Sequence, residues 1–171
     1  RVVAEQVTAS NGQPVVVDNR PGAGGAISVQ AVLGTAADGQ TLLFTASNVL
    51  AEIPHVLTLN YDALKDLKPV AELGRSYMVM VAHPGVPAGN LKELIAYAKT
   101  NRGKLSYASY SAGTISHYAG LVLNQKEGLD LLHVPYKGSP PGLTDVLAGQ
   151  VQLMFDGVVT SLPLIKSGKL K

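Results

Sequence analysis

The 171-residue sequence predicts an α/β protein with parallel strands and right-handed helical crossovers, laid out as two successive units. Three features lead there. A glycine, a polar residue and a short apolar run recur at "DGQTLLF" (38–44), "RGKLSYA" (102–108), "AGQVQLM" (148–154) and "SGKLK" (167–171). Such a mark is left where a left-handed glycine ends a helix and a strand begins. The apolar runs are nearly continuous, as expected of strands covered on both faces. Between them lie stretches with helical spacing and recognisable caps.

The elements follow in order. "RVVAEQVTAS" reads as the tail of a helix and "PVVVD" (14–18) as the first strand. In "DNRPGAGGAIS", Pro21 makes a turn, and Gly24 and Gly25 open a helix running through Ala31. "TLLFT" (41–45) is the second strand. Residues 54–90 change character, with four prolines, weak helical period and a long extended candidate from Val70 to Ala82. This reads as a segment crossing between a first unit at 1–80 and a second at 83–168. Asn90 and Glu93 make a capping box for a helix with Leu91, Leu94, Ile95 and Ala98 on one face, stopped by Gly103. "LSYAS" (105–109), "LLHVPY" (131–136) and "VQLMFD" (151–156) are the remaining strands. Ser139 and Pro140 begin a helix carrying Leu143, Val146 and Leu147, closed by Gly149. A shorter helix follows Ser161 and Pro163 and ends at Gly168, after which 169–171 enters a strand. With a helix already under way at Arg1 and a strand just begun at Lys171, the chain reads as an internal piece of a longer protein.

Composition removes several function classes. A hydrophobic content of 46% suits a globular core and argues against disorder. The 14 basic and 12 acidic residues are dispersed, so no Lys/Arg block offers a surface to nucleic acid or an anionic membrane. Without cysteine there is no disulfide and no thiolate metal site, a usage compatible with the periplasm. No apolar run is long enough to span a membrane, and none reads as a signal peptide. His55, His83, His117 and His133 lack metal-ligand spacing, so neither a metal nor a cofactor is expected.

In an open parallel sheet, ligands bind beyond the carboxyl ends of the strands. The loop at Pro21 has three glycines but neither Gly-Lys-Ser/Thr nor G-x-G-x-x-G, so tight packing of turn and helix is its simpler reading. After the second strand, Ser47 or Asn48 serves as a helix cap or presents its side chain to a ligand. Residues 105–125 contain no Asp, Glu, Lys or Arg. There Ser109 ends a strand, and Ser111, Ala112, Gly113 and Thr114 lead into a helix with His117 one turn inside. A helix start whose amides are only partly capped takes a carboxylate without any lysine. The positive helix end also favours a neutral His117, which either meets a ligand or ties the loop down. Tyr136 and Lys137 follow the fourth strand. Asp156 ends the fifth, where it caps the next turn or receives an ammonium. Catalysis has no support: G-x-S-x-G is absent, and Ser111, His117 and Asp145 or Asp156 do not form an oriented triad.

The segments "VVVDNRPGAGGAIS", "DGQTLLFTAS", "NYDALKDLKPVAELG", "HPGVPAGNLKELIAYAKTNRGKLSYAS", "GTISHYAG", "HVPYKGSPPGLTDVLAGQVQLMFD" and "SLPLIKSGKLK", in this order, resemble the Bug/TctC family of extracytoplasmic solute receptors. That resemblance implies a type II periplasmic-binding-protein-like fold. Two α/β domains with parallel-sheet cores, joined by crossing strands, close on a small organic acid or acidic amino acid. Residues 169–171 then begin the return strand to the first domain. It also implies membrane transporter subunits as partners, a periplasmic location and no direct membrane insertion. Residue by residue, Ser111, Ala112, Gly113 and Thr114 become carboxylate contacts with His117 in support, and Ser47 and Asn48 form the first-domain side. Tyr136, Lys137 and Asp156 face the cleft. Gly113→Asp is expected to block binding while the fold persists. The family's first strand and its glycine-rich loop belong before Arg1, and its closing helices after Lys171. Alternatives are a ligand sensor for a signalling system or an α/β hydrolase using the "SAGTISH" corner.

Overall fold

A computed structural model describes residues 1–171. Helices α1 (Val2–Asn11), α2 (Ala26–Leu33), α3 (Asn48–Ala51) and α4 (Ala63–Asp66) come first. They are followed by β1 (Met78–Ala82), α5 (Leu91–Thr100), β2 (Ser106–Ser109), α6 (Ile115–Glu127), β3 (Leu132–Pro135), α7 (Ser139–Leu147), β4 (Leu153–Gly157) and α8 (Val158–Lys166). The strands form one sheet in the order β1-β4-β2-β3. β2 runs parallel to both β3 and β4, and β1 runs antiparallel to β4.

Four expectations need correction. Residues 14–18 and 41–45 join no ladder, and Val16 and Phe44 stand 89% and 76% exposed. An apolar run becomes a strand only when another segment takes its N–H and C=O groups, and nothing in this chain does so. The sheet is mixed rather than parallel throughout. Of the extended candidate 70–82, only Met78–Ala82 is a strand; it starts beside the end of β4, where Tyr77 O accepts from Val158 N, and so must run the other way. Finally, α8 begins at Val158 and holds Pro163 inside it. The Thr160 and Ser161 hydroxyls, turned back to Asp156, anchor its first turn.

Alternation along the strands splits the core between the two sheet faces. Tyr107 and Leu153 point to one side, with Leu94 and Ala98 of α5 and with Leu129 and Leu131. Ala108 and Met154 point to the other, with Leu143 and Val146 of α7. On the first face α6 lies close: a Cβ on Gly120 would overlap the Tyr107 ring. The Asn90–Glu93 box forms, Asn90 Oδ1 accepting from Glu93 N at 3.0 Å while Glu93 reaches back to Gly89 N at 2.7 Å. Beyond α8 the chain returns along β1, where Ala82 and Lys171 exchange both backbone hydrogen bonds, at 2.7 and 3.1 Å. Such a reciprocal exchange marks an antiparallel pair.

Candidate functional site

β2 delivers residues 109–114 to the start of α6. Thr114 takes the N-cap position with extended backbone (φ −88°, ψ 161°), yet its hydroxyl does not cap the helix. It donates backwards to Ser111 O at 2.7 Å. The first intrahelical bond is Tyr118 N to Thr114 O, at 2.9 Å. The N–H groups of Ile115, Ser116 and His117 therefore have no partner within the chain, nor do those of Ser111 and Ala112. Five unpartnered donors thus lie at the positive end of a 13-residue helix, an arrangement that favours negative charge.

The loop is held in place by its neighbours. Ser116 Oγ donates to Phe155 O at 2.5 Å, fixing α6 to β4. Gly113 N donates to His117 Nδ1 at 3.1 Å, so the lone pair lies on Nδ1 and the ring proton on Nε2. Ser109 is fully buried; its hydroxyl donates to Ser111 O at 3.1 Å and lies 2.6 Å from His133 Nε2. The His117 and His133 rings are stacked 3.9 Å apart. At that separation two unit charges repel by about 4 kcal/mol in surroundings of intermediate polarity. Burial lowers the His117 pKa, and burial together with His117 pushes His133 down to about 4. Both rings are neutral at neutral pH.

Gly113 sits at φ +78°, a conformation that side chains resist, and a Cβ there would lie 3.0 Å from Val56 and 3.2 Å from the Ile53 δ-methyl. This corrects the expectation for Gly113→Asp, which would strain the backbone and push into the 53–56 turn rather than leave the fold intact. A Cβ on Gly24 would meet the same Ile53 methyl. One side chain thus lies between the glycine turn of the first region and the loop of the second. Asn48 donates to Gly24 O at 2.6 Å, which commits its amide to that turn. Ser47, heading α3, is exposed and its hydroxyl is unbonded.

The remaining candidates separate. Tyr136 N donates to Ser109 O, which brings the β3–α7 loop beside the site, but its hydroxyl donates to Asp145 at 2.6 Å. Burial and that carboxylate push the phenol up to about 12. Lys137 is exposed and forms no ion pair. Asp156 is fully buried on the opposite face of the sheet, accepting from Tyr110 (2.8 Å), Thr160 (2.5 Å) and Ser161 (2.5 Å). Burial alone would raise its pKa; the hydroxyls of Ser161, Thr160, Ser139 and Tyr110 outweigh that and lower it. The Ser139 oxygen is near without the alignment of a hydrogen bond, so three donors are counted. With no open face, Asp156 is in no position to meet a ligand ammonium; the helix-anchoring role fits it. Sequence reasoning passed over His133, Ile53 and Val56. His133 emerges only with the β2–β3 register, which pairs it with Tyr107 on the face covered by α6.

The small-residue loop at a strand's carboxyl end, opening an uncapped helix, sits on an α/β scaffold that solved periplasmic binding proteins share. The chain belongs to the TctC family, the tripartite tricarboxylate transporter family receptors, whose model matches residues 1–171. It is a family of binding proteins, not of enzymes. A UPF0065 protein of Bordetella bronchiseptica is 38% identical over 172 residues, covering 100% of this chain and 51% of that protein. A structure described as a periplasmic transporter is 36% identical with a TM-score of 0.93, over 100% of this chain and 58% of the other. The adipate-bound R. palustris protein Rpa4515 is 29% identical with a TM-score of 0.94, over 99% and 57%. The malate-bound MatC of Rhodopseudomonas palustris is 28% identical with a TM-score of 0.82, over 99% and 58%. The chain spans about half the length of the curated relatives it matches. No helix is long and apolar enough to cross a membrane.

Proposed function

We propose that this chain contributes the α6 corner of a cleft that captures a small carboxylate in the periplasm for a tripartite tricarboxylate transporter. In this reading residues 1–80 and 83–168 belong to two α/β domains of a type II binding protein, with β1 and the return segment 169–171 as crossing strands. The observation that carries it is the set of free amides on Ser111, Ala112, Ile115, Ser116 and His117, left open because Thr114 turns its hydroxyl away. Neutral donors at a helix start hold a carboxylate by orientation and release it easily, as a delivery protein requires. The adipate and malate in two relatives make dicarboxylates the first compounds to try. Ser109, Gly113 and Thr114 shape the loop, while Ser47 and Lys137, exposed and uncommitted, are the side chains free to reach a second carboxylate.

Ile115→Pro tests the reading. Ile115 is the first helical residue and half-exposed, and Thr114 before it already has the extended backbone that proline demands. The substitution deletes one free N–H and leaves the helix intact. A hydrogen bond to a charged group contributes about 1.5–3 kcal/mol, so affinity for malate or adipate should fall roughly tenfold or more. Calorimetry checks this, with the unfolding midpoint as control. Unchanged affinity for a dicarboxylate that the unaltered chain binds would refute the assignment of the loop.

A further inference from the structure

Behind the loop, the stacked rings of His117 and His133 are both tied to it. His117 Nδ1 holds the Gly113 N–H, and His133 Nε2 meets Ser109 Oγ. Since the one hydroxyl proton of Ser109 goes to Ser111 O, the proton of the Ser109–His133 contact belongs to His133 Nε2. One imidazole thus grips the third residue of the Ser111–Thr114 loop, and the other, through Ser109, holds the carbonyl of the first. Few titratable groups face the pair. Tyr107 of β2 has its ring 5.1 Å from that of His133 and donates its hydroxyl to His117 O at 3.3 Å. From the 53–56 turn, the apolar Ile53 and Val56 are the residues against Gly113, and Asp156 of β4 is held by hydroxyls on the other face. Neither ring has an ion-pair partner.

We infer that His133, acting through Ser109 and its stack on His117, is a positioning residue for the anion loop, and that protonation of the pair releases the loop and weakens ligand binding. Only the last step rests on the binding reading above. A proton on His117 Nδ1 would confront the Gly113 N–H, donor against donor, so that hydrogen bond breaks. A charge on either ring opposes a charge on its neighbour. An imidazolium would also attract a carboxylate, an effect of opposite sign; solvent screens that attraction, whereas losing the loop geometry removes aligned donors outright. The direction in pH follows from burial. The folded chain keeps both rings neutral, so the loop is intact above the ordinary histidine value near 6.5 and is lost as pH falls through the lowered His117 value, with His133 protonating at about 4.

NMR of this chain between pH 7.5 and 4, without ligand, is the first test. His117 should show the Nε2–H tautomer, and the Gly113 amide should move with the His117 titration. His117→Asn puts a non-titrating acceptor where Nδ1 stood, so it should hold the amide in place throughout. His133→Phe keeps an aromatic stack but loses Ser109, and should speed exchange of the Gly113 amide. A Gly113 amide indifferent to the His117 titration, or a full pH response in His117→Asn, overturns the inference. Calorimetry with malate is the second test. The unaltered chain should lose at least tenfold in affinity between pH 6.5 and 4.5 beyond what His117→Asn loses, since malate's own protonation affects both equally. An equal loss in both overturns the link to binding. An NMR response in this chain, with no malate or adipate bound at any pH by the whole receptor that contains it, upholds the positioning role and rejects the binding reading instead.

Discussion

Residues 1–77 and residues 78–171 differ in where their backbone hydrogen bonds go. In the second region four strands satisfy one another, and alternate side chains fill a core on each face, so that Tyr107, Leu153 and Met154 are fully buried. In the first region helices close their own hydrogen bonds, but 14–18 and 41–45 have no ladder, and only Ala26, Val29, Val49, Ile53 and Ala63 are buried. The apolar text is similar in both. What separates them is pairing: a helix carries its hydrogen-bond partners within itself, and a strand must find them elsewhere.

Paired substitutions put that contrast at risk. Leu153→Ala, at the centre of the sheet, should cost about 2–5 kcal/mol, whereas Val16→Thr, on an exposed run, should stay within about 0.5 kcal/mol. Denaturant unfolding measures both; equal losses would mean that residues 14–18 are packed after all. Within the second region, Ser161→Ala removes a hydroxyl from the buried Asp156 carboxylate and should cost about 1.5–3 kcal/mol at neutral pH. The Asp156 pKa is depressed in the fold, so its stabilisation is full above the ordinary carboxylate value and disappears as pH falls through the lowered one. That acid window lies below the histidine one, and an unfolding profile against pH should show two separate steps. Asn90→Ala removes the cap of α5 and should cost about 1 kcal/mol, lowering the thermal midpoint by a few degrees.

Local chemistry made part of this legible in advance. The Asn90–Glu93 box, the helix after Ser139 and the strand–turn–helix corner at 105–127 follow from caps, glycines and periodicity confined to a few residues. The neutral state of His117 could be argued from the helix start alone. Long-range facts were not legible. Whether "PVVVD" pairs depends on residues far from it, and the direction of β1 depends on where β4 ends. Asp156 at a strand terminus looked open to ligand because nothing in the sequence reveals that Tyr110, Thr160 and Ser161 close over it. His133 needed the β2–β3 register, which places it beside Tyr107.

The Ile53 side chain, wedged between Gly24 and Gly113, has a mechanical meaning. Its δ-methyl and the Val56 side chain are the first-region groups nearest Gly113 in the Ser111–Thr114 loop. Parting that contact uncovers a surface the size of one or two methyl groups, about 0.8 kcal/mol for each by hydrocarbon transfer. A contact that small makes residue 53 a place to tune how firmly the two regions hold together: a shorter Val loosens the contact, and a bulkier Phe crowds both glycines.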